Sequence, residues 1–516
     1  MFYRRIQSPI FALLIAGVFA MAAGCSAGTK QGAESETKKV TLILPFKSAS
    51  LDPNNDYTPL RSGVTETLVK LDDQLNLQGW LATKWEAKDE KTWSFTIRDG
   101  VHFHDGAKLD AAAVKSSFQR GLAVSKTLAG ALKISSMEAD GQTLTIRTTE
   151  PHPSLPSELV SPYASVVNAE AEKKMGKEEF NRAPVGTGPF QVTSFTPNAE
   201  VRLVRFDGYW GGIPKLNEAA VKFNEDGNVR AIALQSKEAD IVYGIPAESI
   251  EAIKRDEALK IQSISGLRVH YILYNQQKPL LQDIKVRTAL NRLLNRESIA
   301  RDILLGNGSP ANGPFNDKLP FGSQEPVPIP DAPKAKALLK EAGYVEGADG
   351  KMMKDGKPLE LELITYKARP ELPLIAQLMQ SDAAKAGVTI TIKLVDNADV
   401  YLQENKDWDL ATYSNLTAPR GDGGYFLNSA FVPEGSLNHG HIHIASLNEI
   451  VKQLNKTNDS SQRVQLTKEA AAVINREIPH SYAVFPNLVV GVNSRITGWV
   501  PGREEFYILN HTMDVQ

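Results

Sequence analysis

Two stretches in the second half of the chain, LIAQLMQSDAAKAG (374–387) and VTITIKLV (388–395), meet with no linker between them. The first carries apolar residues at helical spacing and stops at Gly387. The second alternates Val388, Ile390, Ile392 and Leu394, the period-2 pattern of a half-buried strand. A helix that returns at once into a strand must lie on the sheet which that strand joins, and this selects layered α/β architecture. The same grammar recurs along the chain. VRTALNRLLNRESIARDIL (286–304) places Val286, Leu290, Leu293, Leu294 and Ile303 at helical spacing and predicts one helix. DAPKAKALLKEAGY (331–344) has a capping Asp331, Pro333 in the first turn and a stop at Gly343. In KTWSFTIRDGVHFH, Trp93, Phe95 and Ile97 alternate, Asp99-Gly100 turns, and Val101 and Phe103 alternate again, which predicts a hairpin. Asp110 then caps a helix over DAAAVKSSFQRGL.

The beginning of the chain sets the compartment. Arg4 and Arg5 precede an apolar run from Ile10 to Ala22 that is too short for a comfortable membrane span and reads as an export signal. Cys25 is the single cysteine, so no intramolecular disulfide can form. Ala22-Ala23-Gly24-Cys25 resembles a bacterial lipobox, with Ala22 where that motif usually has leucine. Residues 1–24 are therefore expected to be a signal peptide, and 25–38 a flexible tether lipidated at Cys25. About 480 residues follow, enough for two or three domains. Lys and Arg number 58 against 60 Asp and Glu, well mixed, and this leaves no nucleic-acid footprint. No G-x-S-x-G, H-E-x-x-H or G-x-x-x-x-G-K-[ST] motif is present, and the only cysteine lies in the leader, so the inventory for an enzyme is poor.

Seven segments taken in order are more specific: ETLVKLD (66–72), LATKWEAKDEKTWSFTIRDGVHFHDG (81–106), PVGTGPFQVTSF (184–195), RFDGYWGGIPKLNEAAVKFNED (205–226), VRAIALQSKEADIVYG (229–244), VRTALNRLLNRESI (286–299) and KAKALLKEAGY (334–344). Their order and spacing resemble the nickel- and peptide-binding lipoproteins of bacterial ABC importers, from about residue 40 to the C-terminus. The resemblance implies a non-enzymatic, monomeric receptor, lipid-anchored on the extracytoplasmic face of the cell membrane, with ABC permease subunits as its partner. It also implies two α/β lobes that close on ligand like a flytrap. The first lobe would span 39–272, carry an extra subdomain at about 60–180 and regain 487–516; the second would span 273–486. The crossings are expected near YILYNQQ (271–277) and AVFPNLVV (483–490).

The ligand is expected at the loop TAPRGDGGYFL (417–427), where three glycines leave the backbone open to close approach. In the peptide-binding members a D-P-x-x-F-like turn supplies an aspartate for the peptide's free amine, and Asp422 stands four residues before Phe426 with that spacing. Arg420 is an addition, and its planar guanidinium suits a carboxylate. Together they could grip a zwitterion; alternatively they bind one another across a surface turn. Tyr425 lies in the same loop. By resemblance to the nickel branch, YTPLR (57–61) offers Tyr57 as a cleft wall and Arg61 as a second cation. The chain departs from that branch at Ser161 and Pro162, where an arginine is expected, and at Leu416 and Leu128, where aromatics are expected. Two arginines fit a chelate of nickel, cobalt or zinc with an opine-type metallophore or an amino-acid chelator, the metal being part of the ligand and not a catalytic cofactor; a short peptide is the alternative. In HGHIHI (439–444), His439, His441 and His443 alternate and would share one face of a strand, which makes His439 and His441 candidate metal ligands.

Overall fold

The computed structural model describes residues 37–516, so the leader, Cys25 and most of the tether lie outside the described residues. One long strand, His480–Asn493, organises the rest. Its first residues pair antiparallel with Arg268–Tyr274, from His480 opposite Leu273 to Val484 opposite His270. Its last seven, Asn487 to Asn493, pair with Leu259–Ser265. The strand thus belongs to two half-sheets. The first runs on through Ile241–Tyr243, Lys39–Leu44, Glu218–Phe223, Glu200–Arg205 and Phe190–Thr196. The second runs on through Leu410–Leu416, Glu360–Tyr366 and Thr389–Val395. Strands Glu360–Tyr366 and Thr389–Val395 are parallel, joined by helix Glu371–Ala384. The helix returns directly into the strand, as the unlinked stretches 374–387 and 388–395 imply. At Gly387 φ is +75°, and a Cβ would stand 2.3 Å from the Gly350 carbonyl oxygen, so only glycine closes that turn.

The chain passes between the two half-sheets at Gly266-Leu267 and again within His480–Asn493. Arg268–Tyr274 already pairs with Leu410–Leu416 at every residue. The chain has therefore crossed by Gly266-Leu267, and the expected 272/273 boundary falls inside a strand of the second half-sheet. After Asn493 the chain packs Ile496, Trp499 and Met513 against Val40, Leu42 and Val490, back in the first lobe.

The subdomain on the first lobe is a four-stranded antiparallel sheet in the order Ala82–Ala87, Thr92–Ile97, Thr143–Thr148, Ile134–Asp140. It packs on helix Ala111–Val124, whose first turn is capped by the Asp110 carboxylate accepting from Ala113 N at 2.8 Å. Two local expectations are corrected. Thr92–Ile97 does not form a hairpin with Val101 and Phe103: its partners are Ala82–Ala87 and Thr143–Thr148, while the stretch after Asp99-Gly100 closes on itself through Phe103 N to Ala107 O. The helix over 286–304 is broken as well. Ile284–Leu293 stops where Asn295 turns its side chain to accept from Ser298 N, and a π-helical turn, Ile299–Ile303, follows.

A buried carboxyl group links three of the sequence segments. Glu66 accepts from Thr187 Oγ1 (2.8 Å), Tyr209 Oη (2.7 Å) and Trp210 Nε1 (2.9 Å). Burial outweighs these donors and pushes its pKa up to about 7. The unfolded chain ionises this group near 4.5 and the folded one near 7, so folded protein holds the extra proton between those values. Stability from this group is fully present below pH 4.5 and falls as pH rises through 7, by about 3 kcal/mol in all. Glu66→Gln keeps the shape and removes the titration. Urea unfolding at pH 5 and pH 8 should show wild type losing about 2.5 kcal/mol relative to the variant over that interval; parallel pH dependence of the two would contradict the assignment.

Candidate functional site

Two cavities open where the lobes face one another. The smaller, about 190 Å³, is walled by Tyr57, Ser161, Pro162 and Phe506 from the first-lobe side and by Asn415, Leu416, Pro419, Arg420 and Tyr425 from the second. Arg268, at the crossing, completes it and also stands in the wall of the larger cavity, about 500 Å³.

The glycine-rich loop is where the second lobe touches the first. Gly421 has φ +83°, and a Cβ on it would stand 2.5 Å from the Leu75 carbonyl oxygen across the cleft. Arg420, just before it, forms an ion pair with Glu158 of the first lobe and lies 4.5 Å over the Tyr425 ring. Burial pulls its pKa down, against the opposing pull of Tyr425, Tyr57 and Asp422. Asp422 points elsewhere. Its Oδ2 accepts from Arg463 Nη2 (2.6 Å) and Nε (3.2 Å), and its Oδ1 accepts from Gly424 N (2.8 Å) at the start of helix Gly424–Ala430. The two loop charges therefore neither bind each other nor form a pair facing the cavity, and the aspartate is occupied in holding the loop to helix Ser460–Glu477. Tyr57 is set by aromatic edges, 4.8 Å from Tyr163 and 5.8 Å from Phe506.

Arg61 belongs to the larger cavity. Its Nε donates to the Glu505 carbonyl oxygen at 2.9 Å, and its guanidinium lies 4.4 Å over Phe46. The residue that sequence reasoning missed is Arg268. Its Nη1 reaches only Ser414, at 3.3 and 3.5 Å, and its buried Nε has no acceptor. Among the described residues no carboxylate lies within 4.0 Å of it. Burial, with Arg369 adding its charge, pushes its pKa down to about 10. A cation withdrawn from water without a counter-ion is costly, and a bound anion would relieve that cost. One signal was available: Arg268 is the only formal charge in LRVHYILY, an otherwise strongly strand-forming run.

The histidine stretch is corrected. Residues 439–444 form a turn and not a strand, and His441 takes φ +53°. His439 is buried, with Nε2 3.2 Å from Tyr413 Oη and 3.6 Å from Asp399. His441 and His443 are exposed, and none of the three lines either cleft cavity. Among the described residues no group of three or more His, Cys, Asp and Glu is placed to hold a metal ion. Of the positions that depart from the nickel branch, Ser161, Pro162 and Leu416 line the smaller cavity, whereas Leu128 is buried in the subdomain core.

The site therefore offers two guanidinium groups, an asparagine and three aromatic rings around a small space shared by both lobes. That chemistry suits a compact solute with carboxylate groups.

The chain is similar over most of its length to known solute-binding proteins. Residues 76–438 match the family of bacterial extracellular solute-binding proteins, family 5 Middle. The nickel-binding protein NikA of Staphylococcus aureus is 33% identical over 482 residues, 93% of this chain and 95% of that protein. Its crystal structure in complex with Ni(L-His)2 superposes with a TM-score of 0.81, covering 93% of this chain and 100% of that one. A nickel ABC transporter structure from Bacillus halodurans is 40% identical, with a TM-score of 0.78 and coverage of 93% and 100%. The dipeptide-binding protein of Escherichia coli is 27% identical over 92% of this chain and 91% of its own length. The protein belongs to the family 5 bacterial extracellular solute-binding proteins, with the two-lobed fold of that family.

Proposed function

We propose that this protein is the extracytoplasmic receptor of an ABC importer and that its cargo is a metal chelate, a nickel-type ion held by an amino-acid or opine chelator. The metal travels as cargo, held by the chelator's own donors, while the protein reads the organic shell. The observation that carries this reading is Arg268: a cleft cation with no counter-ion, facing the same cavity as Arg420. Chelator carboxylates would supply the missing charge, with Tyr57 and Tyr425 packing against the rest. The relative that binds Ni(L-His)2 supports the same class. The peptide alternative needs the Asp422 carboxylate free to take an amine, and Arg463 already holds it. Lipidation at Cys25 would keep the receptor beside its permease. Ligand touching both lobes favours the closed form, and the closed form is the one that docks.

Calorimetry tests the reading. Wild type should bind Ni(L-His)2 and bind neither free Ni²⁺ nor dialanine. Arg420→Ala removes a cavity cation and leaves its partner Glu158 as an unpaired negative charge beside the ligand carboxylates; at about 2–5 kcal/mol this should weaken Ni(L-His)2 binding by roughly thirty- to several-thousand-fold. Arg420→Lys should recover part of this, keeping the charge and losing the fork. Binding of dialanine in preference to the chelate, or an Arg420→Ala affinity within about threefold of wild type, would refute it.

A further inference from the structure

The larger cavity has a polarity that the smaller one does not explain. Arg61 and Arg268 stand inside it, joined by Arg230 and by Arg369 at the head of helix Glu371–Ala384. Among the described residues none of these four guanidinium groups has a carboxylate within 4.0 Å. Arg230 is satisfied by carbonyl oxygens alone, those of Asn224, Tyr243 and Gly244. Arg61 has the Glu505 carbonyl and Arg268 has Ser414. The Arg369 side chain makes no hydrogen bond or ion pair, yet it is near enough to Arg268 to depress that residue's pKa.

Carboxylates also reach this cavity, but they sit at its mouth or are already engaged. Glu225 is exposed and bound to Lys47 at 2.5 Å. Asp226 is exposed and caps helix Gly227–Gln235. Glu248 is exposed at the rim. Glu371 is held by His270 Nε2 at 2.7 Å. Glu505 is the remaining one, and it approaches Arg61 through its backbone carbonyl, with φ at +63°. Four guanidinium groups thus face a space of about 500 Å³ with no carboxylate in contact, while Glu505 and Glu371 act on Arg61 and Arg268 only from beyond contact distance. Arg268, with a buried Nε that has no acceptor, and Arg369, with no side-chain partner, are the cations that a bound anion would relieve.

We propose that the larger cavity is an anion subsite that receives a second, carboxylate-bearing end of the cargo. The solute would then be a chelate with at least three carboxylates, spanning both cavities past Arg268. The cargo part of this inference rests on the chelate reading above; the subsite itself stands on the arginines.

Arg369 is the residue to change, because it lines the larger cavity only and its side chain has no bond to lose. The probes are Ni(II)–EDTA with four carboxylates, metal-free citrate with three, and Ni(L-His)2 with two. Wild type should bind Ni(II)–EDTA more tightly than Ni(L-His)2. Arg369→Ala should weaken Ni(II)–EDTA at least tenfold, leave Ni(L-His)2 within about twofold and leave the melting temperature unchanged; Arg369→Lys should recover part of the loss. Citrate that binds in an Arg369-dependent manner, with no nickel chelate bound, would support the subsite and refute the chelate reading. Ni(L-His)2 that binds at least as tightly as Ni(II)–EDTA, with Arg369→Ala affecting neither, would overturn the subsite and leave the chelate reading standing. Failure of all three probes to bind would overturn both.

Discussion

Arg268→Met should cost the protein its ligand and none of its stability. The guanidinium has a buried Nε with no acceptor and two long contacts to Ser414, so its removal breaks no strong bond. Replacing a poorly compensated interior charge with an apolar side chain of similar length is commonly neutral or stabilising, here by up to about 2 kcal/mol. The same change removes the cation common to both cavities. Binding of Ni(L-His)2 should fall by roughly thirty- to several-thousand-fold, following the roughly 2–5 kcal/mol attached to a desolvated charge contact. Calorimetry reads the first effect and urea unfolding the second. An arginine retained for the fold would give the opposite pair of results: lower stability and little change in affinity.

Asp422→Ala should behave the other way round. It leaves Arg463 with two backbone carbonyls, Leu454 and Thr457, and no counter-ion. Breaking one side of such a pair, with the arginine side chain only 9% exposed, should cost about 3 kcal/mol of unfolding free energy. Affinity for Ni(L-His)2, measured on protein that remains folded, should change less than about threefold, because the carboxylate does not line the smaller cavity. Asp422→Asn should recover part of the stability, since one oxygen can still accept from the Gly424 amide or from Arg463. A large loss of affinity with normal stability would restore Asp422 to the ligand.

What could be read from sequence was what local chemistry decides. Asp110 and Asp331 cap the helices they are expected to cap, each accepting from the amide three residues on at 2.8 Å. The return from helix to strand at Gly387 is made by its left-handed backbone. The glycine-rich loop stands out for a physical reason, because Gly421 is where one lobe passes against the backbone of the other. Pairings between distant segments could not be read. The partner of Asp422 lies 41 residues on, in another helix, and that of Arg420 lies in the other lobe. The histidine alternation misled because Asn438 closes a turn there, accepting from Ile442 N at 2.8 Å while donating to the Ile442 and Val432 carbonyls. A side chain that binds nearby backbone in this way competes directly with a strand ladder. The importance of Arg268 lies in the absence of an acceptor beside its Nε, which no spacing in the chain encodes.

The most direct test of a chelate receptor is native mass spectrometry of protein freshly purified from cells grown in unsupplemented rich medium. The expected result is a single added mass that carries a transition-metal isotope pattern and, on release, a carboxylate-rich organic chelator; both should be missing from Arg268→Met. A ladder of metal-free peptide masses, unchanged in Arg268→Met, would contradict the account.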